Sequence, residues 1–256
     1  MQVQILGSAV GVGSSHQYMM SYLINGTVAI DAGCIGLLTP VERQEEIQHV
    51  FISHTHIDHI GSLPTLVDNT YKPTPDCVCV WGGAEVLECL RKDIFNDRVW
   101  PDMITMSETM PPFLELRELT AGQPVEVCGL RITPLKLDHV TPTMGFVVED
   151  ENTAVGFVSD TGPTQAVWDH LNQVENLHAV FLEASFPNSM QWLADASQHL
   201  TPKQFGEEAA KLHRDVDWIA VHLKPSHTQT LIDELSALEL PRLRVGLPGN
   251  LYTFRR

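Results

Sequence analysis

The sequence is poor in basic residues: 16 lysines and arginines face 32 aspartates and glutamates, a formal charge of -16 over 256 residues. Such a surface repels a long phosphate backbone, which speaks against a general RNA- or DNA-binding role. Long apolar runs are missing too, so no helical membrane span is expected. The opening MQVQILGSAV lacks the basic segment, apolar stretch and cleavage site of a secretory signal, and a cytoplasmic location is expected. Cysteine is scarce and odd in number: Cys34, Cys77, Cys79, Cys89 and Cys128 show neither zinc-ribbon nor redox spacing. They read as reduced core thiols, with Cys77 and Cys79 on one face of a strand.

What is present fits a soluble globular chain, 43% hydrophobic and 19% charged, long enough to form one domain over residues 1–256. Short β-type runs recur: VQIL, QYMMSYLI, TVAID, HVFIS, CVCVW, RITPLKL, MGFVVE, AVGFVS, AVFLEA and WIAVHL. Asn25-Gly26 and the EDEN at 149–152 mark hairpin turns. Helices are predicted near 84–93, 164–175, 202–213 and 228–237, the third opened by a Thr201 cap and Pro202 in its first turn. Hairpins early in each half and strand–helix alternation later predict an α/β fold with two mixed β-sheets flanked by helices. The irregular Asn96–Pro112 segment reads equally as a flap and as a loop packed on the core through Trp100 and its methionines.

The densest chemistry lies in FISHTHIDHIG, residues 51–61, where His54, His56, Asp58 and His59 follow an apolar strand-like run. His54 and His56, alternating at a strand end, can converge on one metal ion, while Asp58 and His59 turn toward a second. Imidazole and carboxylate suit zinc, manganese or iron better than calcium or magnesium. His139 follows ITPLKLD, Asp160 follows VGFVS and His222 follows WIAV, each at the end of a strand, where open α/β sheets present ligands. A carboxylate has two oxygens, and Asp160 is the candidate bridge between two ions.

HTHIDH resembles the HxHxDH motif of the metallo-β-lactamase superfamily, and His139, Asp160 and His222 match its remaining ligands in order. The resemblance implies an αββα sandwich with His54, His56 and His139 at one ion, Asp58, His59 and His222 at the other, and Asp160 shared. SDTGP, FLEASFPN, QHLTP and VHLKP resemble segments of the class II cyclic-nucleotide phosphodiesterases. They also resemble the tRNA 3'-processing endonucleases, in which a Glu in a short acidic motif pairs with a downstream His; Glu183 and His199 hold those places. Ile57 stands where the class II signature has leucine, and the Gly- and basic-rich insertion of the tRNA enzymes is missing.

The resemblance therefore implies a dinuclear phosphodiesterase that opens a small 3',5'-cyclic nucleotide, cyclic AMP by likeness, to a 5'-nucleotide. The alternative is a tRNA 3'-endonuclease or another small ester hydrolase. Two divalent ions, zinc first among the candidates, are the implied cofactors, and a homodimer is compatible with the likeness. Asp58, Glu183 and His199 are the candidate catalytic residues, the last two for protonating the leaving oxygen. Asp31 in VAIDAG is expected to hydrogen-bond near the metal loop without ligating. GSAVGVGSS, residues 7–15, reads as a tight loop, since no lysine or helix follows as a P-loop requires. His16 and His227 are candidates to approach the pocket, Lys224 is a candidate phosphate contact, and His49, His170, His178 and His213 read as ordinary surface or half-buried residues.

Overall fold

A computed structural model describes residues 1–8 and 17–255. The stretch from residue 9 to 15 of the glycine-rich segment, together with His16, lies outside the described residues.

The chain first lays down β1 (Gln2–Ile5), β2 (Tyr22–Ile24), β3 (Val28–Ile30), β4 (His49–Phe51), β5 (Val78–Gly82) and β6 (Leu114–Glu118). It then forms β7 (Val125–Val127), β8 (Leu130–Leu137), β9 (Thr143–Glu149), β10 (Ala154–Val158), β11 (Leu177–Glu183), β12 (Asp217–Val221) and β13 (Leu243–Val245). A last strand, β14 (Leu251–Thr253), returns to the first group. Among the described residues these make two seven-stranded sheets, ordered β14-β1-β2-β3-β4-β5-β6 and β13-β12-β11-β10-β9-β8-β7.

Each sheet changes character along its width. β1, β2 and β3 pair antiparallel, and β3 to β6 pair parallel. The second sheet repeats the plan, antiparallel from β7 to β10 and parallel from β10 to β13. Antiparallel neighbours need only a tight turn, whereas parallel ones need a crossover. At the first hairpin Asn25 and Gly26 both take positive φ, 49° and 79°, and Thr27 N–H donates to Ile24 O at 3.2 Å. At the second, Asp150 Oδ1 accepts from the N–H groups of Asn152 and Thr153.

Strand alternation assigns each side chain to a layer. Val28, Ile30 and Phe51 of the first sheet meet Phe146, Phe157, Phe181 and Ile219 of the second in a shared apolar core. Tyr22 contacts Phe157 and Phe181 edge-on, at ring centroid distances of 5.2 and 5.4 Å. Ala29, Val50 and Ile52, on the opposite face of the first sheet, pack on helix residues such as Leu63, Leu66 and Val86. Val180, Leu182 and Trp218 do the same in the second with Trp168, Phe205 and Leu231. The layers therefore run helix, sheet, sheet, helix, as expected from the sequence.

The predicted helices form, as Ala84–Cys89 with a π turn to Ile94, Ala166–Leu171, Pro202–Ala209 and Thr228–Ser236. Thr201 caps the third through a reciprocal box with Gln204, and Pro202 occupies its first turn. Asn96–Pro112 contains the short helix Met103–Met106, and Trp100, Met103 and Met106 pack against the outer core of the first sheet. No helix among the described residues is long and apolar enough to cross a membrane.

Two differences from the sequence expectation matter. The run QYMMSYLI is a strand only from Tyr22 to Ile24. Met20 turns aside, its N–H donating to Asp58 O at 2.8 Å and its carbonyl accepting from Gly33 N–H at 3.0 Å. A β-carbon on Gly33 would stand 2.0 Å from Asp58 O, so only glycine lets these three backbone segments cross. The second difference is that β6, β7, β13 and β14 were not signalled by apolar runs, and these are the outermost strands of the two sheets.

Candidate metal centre

The parallel strands end at one edge of the sandwich, and the residues just past their ends supply the chemistry. Ser53 and His54 follow β4, after which the chain bends through His56 into the one-turn helix Ile57–Ile60 that carries Asp58 and His59. Asp31 follows β3 and His222 follows β12, both with left-handed backbone, φ 58° and 59°, which turns their side chains off the strand direction. His139 follows β8, Asp160 follows β10, Glu183 is the last residue of β11, and His199 comes two residues after the helix Gln191–Ser197.

These residues converge. His54, His56, His139 and Asp160 bring one donor atom each to within 4.8 Å of one another, as do Asp58, His59 and His222, and also Asp160, His199 and His222. Asp160 Oδ2 lies at the centre, 3.6 Å from His54 Nε2, 3.4 Å from His59 Nε2, 3.6 Å from His222 Nε2 and 4.0 Å from His199 Nε2. His222 Nε2 stands 3.2 Å from Asp58 Oδ2 and 3.4 Å from His59 Nε2, and His139 Nε2 is 3.4 Å from His56 Nδ1. A tetrahedral ion with bonds of about 2.1 Å separates its donors by about 3.4 Å. The donor spacing is that of coordination edges.

Hydrogen bonds at the far side of the His54, His59, His139 and His222 rings hold their Nε2 atoms toward the centre. His59 Nδ1 lies 2.7 Å from Asp31 Oδ2 and His139 Nδ1 2.9 Å from the carbonyl of Gln198. Both acceptors lack protons, so the ring Nδ1–H donates. Ser53 Oγ lies 2.9 Å from His54 Nδ1 and Ser185 Oγ 2.9 Å from His222 Nδ1. Asp31 Oδ1 accepts from Ser53 N–H at 2.7 Å, so Asp31 takes the hydrogen-bonding place expected of it. His54 Nε2 is buried and has no hydrogen-bond partner in the protein. A buried lone pair so placed costs free energy unless a cation meets it.

Electrostatics point the same way. Burial opposes a charge on Asp160, but His222 and His59 outweigh it and hold its carboxyl well below the usual range. Burial likewise opposes ionisation of Asp58, and the hydrogen bond from His222 with the charges of His59 and Lys224 overrides it. His54 is pushed down to about 2, by burial first and His59 second. His59 is raised well above a normal imidazole, because Asp160 and Asp31 overcome its burial. The chemistry of the donors, imidazole and carboxylate with outer hydrogen bonds, fits such ions.

Glu183 is 1% exposed and occupied on both oxygens. Oε1 accepts from His199 Nδ1 at 2.8 Å and Thr161 N–H at 2.9 Å; Oε2 accepts from Ser185 Oγ at 2.5 Å and Leu200 N–H at 3.3 Å. Burial works against a charged His199, but Glu183 prevails and its pKa is raised. Lys224 Nζ is 3.8 Å from Asp58 Oδ2, at the mouth. His227, in the turn Pro225–His227, is half-buried and belongs to none of the donor groups, and His49, His170, His178 and His213 are likewise half-buried or exposed. A cavity of about 460 Å³ opens beside His139, with Glu85, Lys136, Thr141, Met144 and Gln198 in its walls. Ser53 and Ser185 escaped sequence reading, although both stand inside the quoted motifs, because serine after a strand is ordinary until its ring partner is known.

The family model described as "Beta-lactamase superfamily domain" matches residues 28–227. A probable 3',5'-cyclic-nucleotide phosphodiesterase of Yersinia pestis is 24% identical, covering 88% of this chain and 79% of that protein. A ribonuclease Z of Mycobacterium bovis is 31% identical over 127 residues, 46% of this chain and 45% of that one. Among solved structures, unliganded yeast PDE1 superposes with a TM-score of 0.79 at 17% identity, covering 98% of both chains.

Proposed function

Because the chain belongs to the beta-lactamase superfamily, its model matching residues 28–227, we propose that it is a dinuclear metal phosphodiesterase hydrolysing 3',5'-cyclic nucleotides to 5'-nucleotides. The observation that carries this reading is the convergence of four imidazoles on Asp160 Oδ2, with a donor group on either side. His54, His56 and His139 would hold one ion, Asp58, His59 and His222 the other, and Asp160 both. Zinc suits these donors, as do manganese and iron. Supporting the substrate class are the phosphodiesterase relative that covers most of the chain and a cavity of about 460 Å³, within the range of small-molecule sites.

Two divalent ions, when bound, supply Lewis acidity that acidifies water and neutralises charge on phosphoryl oxygens. The chain's own residues do the rest. Water attacks phosphorus in line and the bond to the 3'-oxygen breaks. His199, whose hold on a proton is strengthened by Glu183 at Nδ1, gives its Nε2 proton to the departing 3'-oxygen, which leaves as a hydroxyl. Glu183 meets no substrate and acts as a positioning residue, because all its acceptor capacity is turned inward. Asp58, held as the carboxylate, accepts the proton that the attacking water gives up, and Lys224, 3.8 Å from Asp58 Oδ2, offers a positive charge to a phosphoryl oxygen.

A second reading, a tRNA 3'-endonuclease, draws on the ribonuclease Z likeness over 46% of the chain. The formal charge of -16 weighs against it. The test is product analysis after metal-loaded protein meets 3',5'-cyclic AMP, with chelated protein as control. Metal-dependent 5'-AMP is expected. Cleavage of precursor tRNA with cyclic AMP left intact would overturn the first reading in favour of the second.

A further inference from the structure

The two halves of the fold repeat more than their strand order. β3 and β4 are parallel neighbours in one sheet, β11 and β12 in the other. In each pair the first strand delivers a buried carboxylate, Asp31 after β3 and Glu183 at the end of β11. Each carboxylate grips one imidazole directly: Asp31 Oδ2 lies 2.7 Å from His59 Nδ1, and Glu183 Oε1 lies 2.8 Å from His199 Nδ1. Each then reaches a second imidazole through a serine. Ser53 Oγ lies 2.9 Å from Asp31 Oδ2 and 2.9 Å from His54 Nδ1; Ser185 Oγ lies 2.5 Å from Glu183 Oε2 and 2.9 Å from His222 Nδ1. The second imidazole always follows the neighbouring parallel strand, His54 after β4 and His222 after β12.

We propose that Ser53 and Ser185 are matched positioning residues, each directly orienting the histidine of one cation position, so that each serine acts more strongly on one ion than on the other. The inference rests on the metal assignment above and extends it to residues that touch no metal. Its physical basis is proton counting. A hydroxyl has one proton and a carboxylate accepts only, so Ser53 donates to Asp31, and Ser185 donates to the nearer, charged Glu183 Oε2 at 2.5 Å in preference to the His222 carbonyl at 3.1 Å. Each serine oxygen can then only accept from the ring, which places a proton of His54 and of His222 on Nδ1 and makes Nε2, toward Asp160, the nitrogen that meets a cation. Ser159 Oγ donates to Ser53 Oγ at 3.1 Å, which strengthens the same ordering. Alanine at either place leaves a buried Nδ1–H without an acceptor, and the ring then has reason to turn or to move its proton to the metal-facing nitrogen. Loss of such an outer partner weakens metal affinity about 10- to 100-fold.

The experiment is a zinc titration of metal-freed wild type, Ser53→Ala, Ser185→Ala and Ser185→Thr, followed by long-range proton–nitrogen NMR of the metal-free imidazoles. Wild type should take up zinc in two steps. Ser53→Ala should weaken one step about 10- to 100-fold, Ser185→Ala the other, and Ser185→Thr, which keeps the hydroxyl, should restore the second. The Nδ1-protonated signal of His54 should change only in the first variant and that of His222 only in the second. Two wild-type steps in both alanine variants, or equal weakening of both steps by either one, would overturn the inference while leaving the metal site standing. A wild type that binds no zinc would overturn the metal reading and this one together.

Discussion

Glu183→Gln isolates the most heavily committed side chain of the site. The side chain keeps its shape, but one oxygen that now accepts two hydrogen bonds becomes an NH₂. Retaining Oε1 toward His199 and Thr161, as the lower-cost orientation, turns the new NH₂ on Ser185 Oγ, 2.5 Å away, and Leu200 N–H, 3.3 Å away. Ser185 can rotate and accept; the Leu200 N–H cannot, and a buried donor left unpaired costs about 1–3 kcal/mol. The surviving bonds lose their charge assistance, about 1 kcal/mol each. The sum is about 4 kcal/mol, large for a single isosteric substitution. For a chain of this length that lowers Tm by about 8–16 °C. The measurement is calorimetric melting of metal-free protein, paired with turnover of cyclic AMP by loaded protein. Turnover should fall about 100- to 1,000-fold, because His199 loses the carboxylate that keeps its proton. A variant melting within 2 °C of wild type at roughly full turnover would refute the assignment of Glu183 as the anchor of this network.

Asp160→Asn removes the charge on which four imidazoles converge, so metal analysis after gel filtration should find fewer than two ions per chain; two retained ions would mean that Asp160 is not shared. Thr201→Ala deletes the capping-box hydroxyl of helix Pro202–Ala209, and denaturant unfolding should show a loss of about 0.5–2 kcal/mol without any change in metal content. Burial pushes the Cys34 thiol up to about 11 and the Cys79 thiol up to about 12. Their thiolate fractions at pH 8 are then about one in a thousand and one in ten thousand, so mass spectrometry after brief alkylation should find the label on exposed Cys128 and almost none on those two.

The legible part of the fold was its interior. Strands such as Ala154–Val158 and Leu177–Glu183 are buried nearly throughout, and apolar side chains on both faces leave an unbroken run in the sequence. Leu251–Thr253 and Leu243–Val245, at the sheet borders, have one neighbour each and a polar or exposed side, so nothing in their composition separates them from loops. The convergence of donors at the candidate centre was legible for a related reason. A histidine or aspartate placed straight after a buried strand has an improbable address, and His54, His139, Asp160 and His222 all share it. Ser53 and Ser185 do not stand out, because what distinguishes them is distance to a ring nitrogen that only the folded pairing of the strands creates.

Those inconspicuous borders bear on whether another chain can add a strand to either sheet. An open sheet edge is a template on which another chain can lay a strand. Here the templates are blunted: three of the four border strands are three residues long, and the longer one, Leu114–Glu118, carries Glu115, Arg117 and Glu118 on its exposed positions. A foreign strand would find only one or two backbone partners, or would have to desolvate charged side chains to gain more. Self-association by strand addition is thereby discouraged at both ends of both sheets, and the apolar runs that build the sandwich remain sealed behind them.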